Sequence, residues 1–307
     1  MEQKEFKEQV PPLRSPLKVS VLMLTYNQER YVAQAIRSVL AQQTDFAFEL
    51  VIGNDASTDR TGEICARLAA DCPDRIVLID RPQNVGLAQN FVDTYHHLRG
   101  QYVAICEGDD YWLSRHKLQR QVAWLDAHPD YAICFHRVVN YYEENRTKSL
   151  SNGGQQRDTD ILDLARGNYI TNVSALFRRG VFGALPDWFA QVSTYDYPLH
   201  LLTAQYGRIH YMRRPMAVYR QRAHAIWSQA AAAKKRDISL SVRQQLMTYF
   251  RERRPDVCAL LQQSCEQIRK NYAPDRVHAK PSFTKRVRRA LSAIRAAVSR
   301  LVPVRGI

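Results

Sequence analysis

Three carboxylates follow a short apolar run about one third of the way along the chain. The run Tyr102–Cys106 predicts a buried strand, and Glu107, Asp109 and Asp110 come directly after it. Three acids within four residues repel one another unless a cation lies between them, and Gly108 lets the backbone turn so that they converge. Hard divalent cations such as Mg²⁺ or Mn²⁺ bind oxygen ligands of this kind. The spacing therefore indicates a metal site, and the alternative is a solvated acidic turn.

Three strand–helix pairs precede this acidic cluster. Apolar runs predict strands at Lys18–Leu24, Phe48–Gly53 and Ile76–Asp80, each followed by a predicted helix. This alternation predicts an α/β domain with a mostly parallel sheet and helices on both faces. Ligands of such sheets bind beyond the carboxyl ends of the strands. Thr25, Asp55 and the acidic cluster all fall on that edge, so we expect a ligand site there.

After Trp112 the pattern becomes mixed. It predicts a helix over 116–128, strands at Tyr131–Tyr142 and Asn168–Phe177, a mobile polar loop at Asn145–Arg157, a helix at Pro198–Tyr206, and short strands at Ile209–Met212 and Ala217–Tyr219. From about residue 230 the chain is predicted to be helical and basic. We therefore expect a polar N-terminal arm (1–16), an α/β domain (17–230), a helical extension (231–275) and a basic amphipathic tail (276–307).

The composition excludes several classes of protein. The chain has 307 residues, of which 45% are hydrophobic, and this is enough for a sizeable core. Its six cysteines form no Cys-x-x-Cys pair and its histidines do not cluster, which argues against a zinc site or a disulfide framework. The first 18 residues are polar and do not resemble a signal peptide, and no apolar run approaches the length of a membrane span. We expect a cytoplasmic protein.

The net charge of +14 is concentrated towards the C-terminus. Apolar residues recur there at helical spacing among lysines and arginines: Phe283, Val287, Leu291, Ile294, Val298 and Leu301. An apolar stripe on a cationic helix is typical of a segment that lies on an anionic membrane. Nucleic acid is a rival partner, but it would not use the stripe, and aromatic residues interleaved among the cations for base stacking are absent. The remaining alternative is a helix packed on the rest of the protein.

Six short motifs, in order, carry a resemblance to a known family. They are Thr25–Asn27, Asn54–Asp59, Asn84–Asn90, Glu107–Trp112, Tyr195–Leu199 and Ala217–Arg220. Each motif alone is weak, but their order and spacing resemble family 2 glycosyltransferases, which have the Rossmann-like GT-A fold. The resemblance covers roughly residues 17–230. It implies transfer of a sugar from a nucleotide-diphospho-sugar, with inversion at the anomeric carbon.

The resemblance also implies where the donor binds. Donor-binding positions of the family correspond to Thr25, Tyr26, Asn27, Asp55, Asn84, Asp109 and Arg220 in this sequence. Asp55 would hydrogen-bond the nucleobase beside the turn at 25–27, and Asp109 would lie near the ribose. Arg220 would place a cation at the diphosphate. The sequence departs from the family after this arginine, because Arg222 and then His224 occupy a stretch where relatives often carry a nearer histidine.

The metal and the catalytic base follow from the same resemblance. Asp110, with Asp109, would bind Mg²⁺ or Mn²⁺ between the two phosphates of the donor. Asp196 matches the position of the base. A single displacement needs a carboxylate to take the proton of the acceptor hydroxyl, and a metal offsets the charge that grows on the departing diphosphate.

Each of these roles has a structural alternative. Asp55 also suits a loop, Asn84 a turn, and Asp196 a helix N-cap ahead of Pro198. A silent nucleotide-sugar-binding or scaffold protein would need neither Asp196 nor the metal acids, which are all present. Nucleic-acid binding is motivated only by the charge, and we expect no such partner. We expect an enzyme of surface-glycan biosynthesis, for example of lipopolysaccharide or capsule, that acts on a glycan or lipid-linked acceptor at the inner face of the membrane.

Overall fold

A computed structural model of the protein describes residues 17–222 and 232–271. The predicted N-terminal arm, His224 and the basic tail lie outside the described residues. Among the residues that are described, no helix is both long enough and apolar enough to cross a membrane.

Strands and helices alternate in the first third of the chain. The strands are β1 (Leu17–Thr25), β2 (Ala47–Asn54), β3 (Ile76–Asp80), β4 (Tyr102–Ile105), β5 (Tyr111–Trp112), β6 (Tyr131–Tyr142), β7 (Thr147–Leu150), β8 (Asp158–Thr159), β9 (Leu176–Arg178) and β10 (Arg208–Gln221). The helices are α1 (Val32–Leu40), α2 (Thr61–Asp71), α3 (Leu87–His96), α4 (Lys117–Ala127), α5 (Ile161–Arg166), α6 (Asp196–Ala204), α7 (Ala232–Phe250) and α8 (Pro255–Asn271). Short 3₁₀ turns cover Asn172–Ser174 and Asp187–Gln191.

One sheet organises the fold, in the order β3-β2-β1-β4-β9-β6-β10-β5. Strands β3, β2, β1 and β4 are parallel, as the sequence predicts. Strand β9 is antiparallel to both of its neighbours, so β6 and β10 run in the same direction as β4. The carboxyl ends of β1, β2, β4 and β10 therefore meet at one edge of the sheet.

Helices cover both faces of the sheet. Along β1, Val19, Val21 and Met23 pack on the face covered by α1, α2 and α4, whereas Leu22 and Leu24 pack on the face covered by α3 and α5 to α8. Both faces of the strand are buried, which explains its nearly continuous apolar sequence. Burying each large apolar side chain contributes about 1.5–3 kcal/mol to folding, so this strand is anchored strongly on both sides.

Two predicted elements are wrong in detail. The segment Asn168–Phe177, predicted as a strand, instead contains irregular backbone, a 3₁₀ turn and the start of the short β9. Some polar side chains of this segment bond local backbone groups and not a neighbouring strand; Ser174 Oγ, for example, donates to Thr171 O at 2.6 Å. The two short strands predicted after residue 208 form the single strand β10, whose register shifts between Met212 and Ala217. Pro215 lies in this interval and has no N–H to donate to a ladder.

The loop predicted at Asn145–Arg157 also contains structure. It includes β7, which pairs with the end of β6 in an antiparallel hairpin. The helical extension is confirmed as α7 and α8. These two helices are tied together by Arg243, whose Nε donates to Ser264 Oγ at 3.0 Å, and α8 packs on α5.

Candidate active site

A cavity of about 590 Å³ opens at the carboxyl edge of the sheet. All the site residues predicted from the sequence line it: Thr25, Tyr26, Asn27, Asp55, Asn84, Asp109, Asp110, Asp196 and Arg220. Glu107, Asn172, Tyr195 and Arg222 line the same cavity. The parallel strands explain this convergence, since residues that follow each strand meet at one edge.

Asp55 holds the loop that precedes α3. One carboxylate oxygen accepts the N–H of Val85 at 2.8 Å and the other accepts the N–H of Gly86 at 3.0 Å. The side chain of Asn84 donates to Asp55 O at 3.0 Å. A carboxylate has about four acceptor sites, so these bonds leave Asp55 able to accept a further hydrogen bond inside the cavity. Its loop role and a ligand role are therefore compatible.

Asn27 shapes the turn that follows β1. Its φ of 52° lies in the left-handed region, which asparagine adopts more readily than most residues. Its Oδ1 accepts the N–H of Thr58 at 2.8 Å, while its own N–H donates to Ser57 Oγ at 3.0 Å. These bonds connect the turn after β1 to the loop after β2. Tyr26 remains 43% exposed at the mouth of the cavity, with Leu87 similarly exposed in the lining.

Strand β10 brings two arginines to the acidic cluster. Its antiparallel pairing joins Ala217 to Trp112 and Val218 to Tyr111. Extending this register places Arg220 beside Asp109: its Nε donates to Asp109 O at 2.8 Å. The side chain of Asp109 forms an ion pair with Arg222 at 2.5 Å.

Asp110 is buried more deeply than its neighbour. It is 2% exposed, and its Oδ1 accepts the backbone N–H of Arg220 at 2.8 Å. Burial, together with the adjacent charge of Asp109, raises the pKa of Asp110 well above its usual range. A cation close to this carboxylate would relieve both effects.

The two aspartates fit a divalent cation that is shared with a substrate. Across residues 17–222 and 232–271, no group of three histidine, cysteine or acidic side chains is arranged to hold a metal without other ligands. Mg²⁺ sites that serve phosphate substrates typically use one or two carboxylates and complete their coordination with water and phosphate oxygens. Asp109 and Asp110 match that donor set.

Glu107 bonds side chains beyond this pair, next to the start of α6. It accepts hydrogen bonds from Tyr195 Oη and from Asn172 Nδ2, the latter at 3.1 Å. Burial raises the pKa of Glu107 to about 8, although the bond from Tyr195 opposes the shift. Tyr195 is the residue before α6. Glu107 therefore connects the end of β4 to the start of that helix.

Asp196 is the first residue of α6. The N-cap position belongs to Tyr195, so the predicted alternative of an Asp196 N-cap is wrong, although an acid in the first turn suits the helix dipole. Asn168 Nδ2 donates to Asp196 Oδ2 at 3.1 Å. Burial raises the pKa of Asp196 above its ordinary value in spite of this bond. Asn168 and Asn172 were not predicted as site residues, because both fall in the segment that resembled a strand.

Comparison with known proteins identifies the family. Residues 20–185 match the model for Glycosyl transferase family 2, which is more than half of the chain. The chain belongs to glycosyltransferase family 2. Uncharacterized protein Rv1520 from Mycobacterium tuberculosis is 39% identical over 213 residues, which cover 69% of this chain and 61% of that protein. The chain therefore matches about three fifths of this relative's length.

Two solved structures show the same fold at low sequence identity. S. aureus TarS 1–349, in complex with UDP-GlcNAc, superimposes with a TM-score of 0.62 at 18% identity, covering 88% of this chain and 77% of that one. Mannosyltransferase PcManGT from Pyrobaculum calidifontis, in complex with GDP-Man and Mn²⁺, gives a TM-score of 0.57 at 18% identity, with 95% and 83% covered. These similarities confirm the predicted GT-A fold.

The two carboxylate bonds of Asp55 generate a prediction about stability. In Asp55→Asn an amide NH₂ replaces one oxygen and faces a backbone N–H that has lost its acceptor. We expect the free energy of unfolding, measured by urea denaturation, to fall by about 1–3 kcal/mol, the cost of an unsatisfied buried group. The exposed Asp74→Asn is the matched control and should change little. Equal stability of both variants would show that Asp55 does not hold the loop.

Proposed function

We propose that the protein is an inverting, metal-dependent glycosyltransferase that moves a sugar from a nucleotide-diphospho-sugar to an acceptor hydroxyl. One observation carries the proposal: a carboxylate with raised pKa, Asp196, and an aspartate pair suited to a cation, Asp109 and Asp110, line the same cavity. A transfer by single displacement uses both features, one on each side of the anomeric carbon: the base at the attacking hydroxyl and the cation at the departing diphosphate. A binding or scaffold protein needs neither.

The donor is proposed to lie across the strand ends, from Asp55 to the acidic pair. Asp55 retains acceptor capacity for an N–H of the nucleobase, and the turn at 25–27 lies in the same lining. Arg220 in β10 and Arg222 just after it sit close to Tyr31, with guanidinium carbons 4.9 Å and 5.1 Å from the ring centroid. This packing restricts their motion and keeps positive charge next to the expected position of the diphosphate.

Departure of the diphosphate and activation of the acceptor are assigned to different groups. A divalent cation held by Asp110 and Asp109 would offset the charge that grows on the leaving diphosphate. Asp196 accepts the proton of the acceptor hydroxyl, for which its raised pKa makes it a better base than an exposed aspartate. Asn168 orients Asp196 through the bond at 3.1 Å, and Tyr195 with Glu107 fixes the start of its helix.

We assign the acceptor to surface glycans or their lipid-linked precursors, and the site of action to the inner face of the membrane. The support is the basic, apolar-striped sequence of residues 283–301, which is typical of segments that bind anionic membranes. A lipid-linked acceptor would be concentrated at the same surface.

The metal assignment predicts the behaviour of Asp110→Asn. The variant loses a charged ligand but keeps the size and shape of the side chain. We expect Mn²⁺-dependent binding of UDP-sugars or GDP-sugars, measured by calorimetry, to be abolished while the circular dichroism spectrum is unchanged. Asp71→Asn, exposed at the end of α2, is the control. Retention of full Mn²⁺-dependent affinity would contradict the assignment.

The base assignment predicts a different result for Asp196→Asn. Donor affinity should be retained, because the carboxylate acts on the acceptor. Turnover should fall by about 10² or more, the usual scale for a lost general base. Calorimetry measures the donor affinity, and steady-state turnover of the donor that the wild type accepts in a nucleotide-sugar panel measures the rate. Near-normal turnover would rule out Asp196 as the base.

The membrane assignment predicts that cutting the chain after Lys280 releases the protein from vesicles but leaves donor hydrolysis intact. Each lost cation removes about 1 kcal/mol of attraction to an anionic leaflet. A second variant, with Leu291, Ile294 and Val298 changed to serine, keeps every cation and tests the stripe alone. Sedimentation with anionic liposomes should show weaker binding of both variants. Binding equal to that of the full-length wild type would remove the membrane assignment.

A further inference from the structure

A second cavity of about 360 Å³ adjoins the candidate active site, between α6 and α7. Its lining comprises Asn168, Thr194, Asp196, Tyr197, Tyr219, Ile238, Ser239, Val242 and Arg243. Three of these residues, Thr194, Asp196 and Tyr219, also line the larger cavity. Asp196 therefore borders both spaces, with the acidic pair present only in the larger one.

The proposed reaction constrains what each cavity can hold. In a single displacement the attacking hydroxyl and the leaving diphosphate lie on opposite sides of the anomeric carbon. The diphosphate end is assigned to Asp109 and Asp110, so the hydroxyl has to reach Asp196 from a space that the donor does not fill. The adjoining cavity is such a space, because it meets the larger one at Asp196.

We propose that the cavity between α6 and α7 is the acceptor site, that helix α7 supplies the wall that selects the acceptor, and that the site takes the terminal one or two rings of a neutral saccharide. This inference rests on the proposed function, since it uses Asp196 as the base. Helix α7 lies beyond residues 20–185, the part that matches the family model. The acceptor wall is therefore a feature of the C-terminal extension.

The lining suits a saccharide. Ile238 and Val242 offer an apolar surface to the C–H face of a sugar ring, and Tyr219 offers an aromatic edge or face. Thr194 can exchange hydrogen bonds with sugar hydroxyls, and Ser239, whose Oγ donates to Lys235 O at 2.8 Å, can accept one. The volume lies at the lower end of the range for small-molecule sites, about 300–1,000 Å³, and so admits a chain end rather than a long stretch of glycan.

The one cationic side chain of this lining, Arg243, is already bound to other groups of the protein. Arg243 Nε donates to Ser264 Oγ at 3.0 Å and Nη1 donates to Ser239 O at 3.0 Å, while the guanidinium lies 4.8 Å from the centroid of the Tyr197 ring. These contacts fix α7 against α8 and α6. A phosphate or carboxylate on the acceptor would need Arg243 as its cationic partner and would have to disrupt these contacts. A neutral group therefore fits the cavity better.

Two serines on α7 allow a matched experiment. Ser239 lines the cavity, whereas Ser241, two residues further on, is exposed on another side of the helix. Ser239→Trp should fill the cavity, and Ser241→Trp adds the same side chain outside it. The probes are a panel of methyl glycosides of common hexoses and N-acetylhexosamines, with UDP or GDP and Mn²⁺ present, observed by saturation-transfer NMR.

We expect at least one methyl glycoside to bind the wild type and Ser241→Trp equally and to bind Ser239→Trp at least tenfold more weakly. Nucleotide affinity should be unchanged in all three proteins. Ile238→Trp is a second filling variant should Ser239→Trp fail to fold, as judged by its unfolding midpoint. Undiminished glycoside binding by a folded filling variant, or no glycoside binding by the wild type, would overturn the acceptor site.

Failure of the proposed function gives a different result. A wild-type protein that neither binds nor hydrolyses any nucleotide sugar would overturn the proposed function and the acceptor role with it. If the wild type hydrolyses a nucleotide sugar, but Ser239→Trp binds the glycoside as tightly as the wild type does, only the acceptor site is overturned. Nucleotide-sugar hydrolysis by the wild type and both tryptophan variants is therefore measured beside the NMR experiment.

Discussion

Asp109 and Asp110 stand side by side where β4 ends, and the repulsion between their charges constrains the surrounding structure. The end of β10 and the residue after it offset this repulsion. The backbone N–H of Arg220 donates to Asp110, and Arg222 forms an ion pair with Asp109. Burial still leaves the pKa of Asp110 raised, and a cation held by the pair, as proposed above, would lower it. Sheet topology produces this arrangement, because β10 runs parallel to β6 and antiparallel to β5.

A second connection positions the other half of the chemistry. Glu107 accepts a hydrogen bond from Tyr195, the residue before α6, and Asn168 donates one to Asp196 itself. One strand end thus supplies the proposed metal ligands and also fixes the helix that carries the proposed base. The C-terminal helices also contribute to the surroundings of Asp196. Helix α7 lines the adjoining cavity together with Asp196, and Arg243 holds α7 against α8.

The sequence predicts the parallel half of the sheet and the residues at its edge because their signals are local: apolar runs, turns and acids at strand ends. It does not predict Asn168 and Asn172, whose bonds reach 28 and 65 residues along the chain. The pairing of Arg222 with Asp109 depends on the register of β10, which no local pattern encodes. The second cavity likewise depends on how α7 packs against α6.

In the proposed reaction the strand-end cavity places a metal-bound diphosphate beside Asp196. An anomalous-difference map from crystals grown with Mn²⁺ and UDP or GDP tests it most directly. The account predicts a single strong manganese peak bound to Asp110 and Asp109, with the nucleobase towards Asp55 and the phosphates towards Arg220. Manganese and nucleotide bound in a different part of the molecule, away from these aspartates, would contradict it.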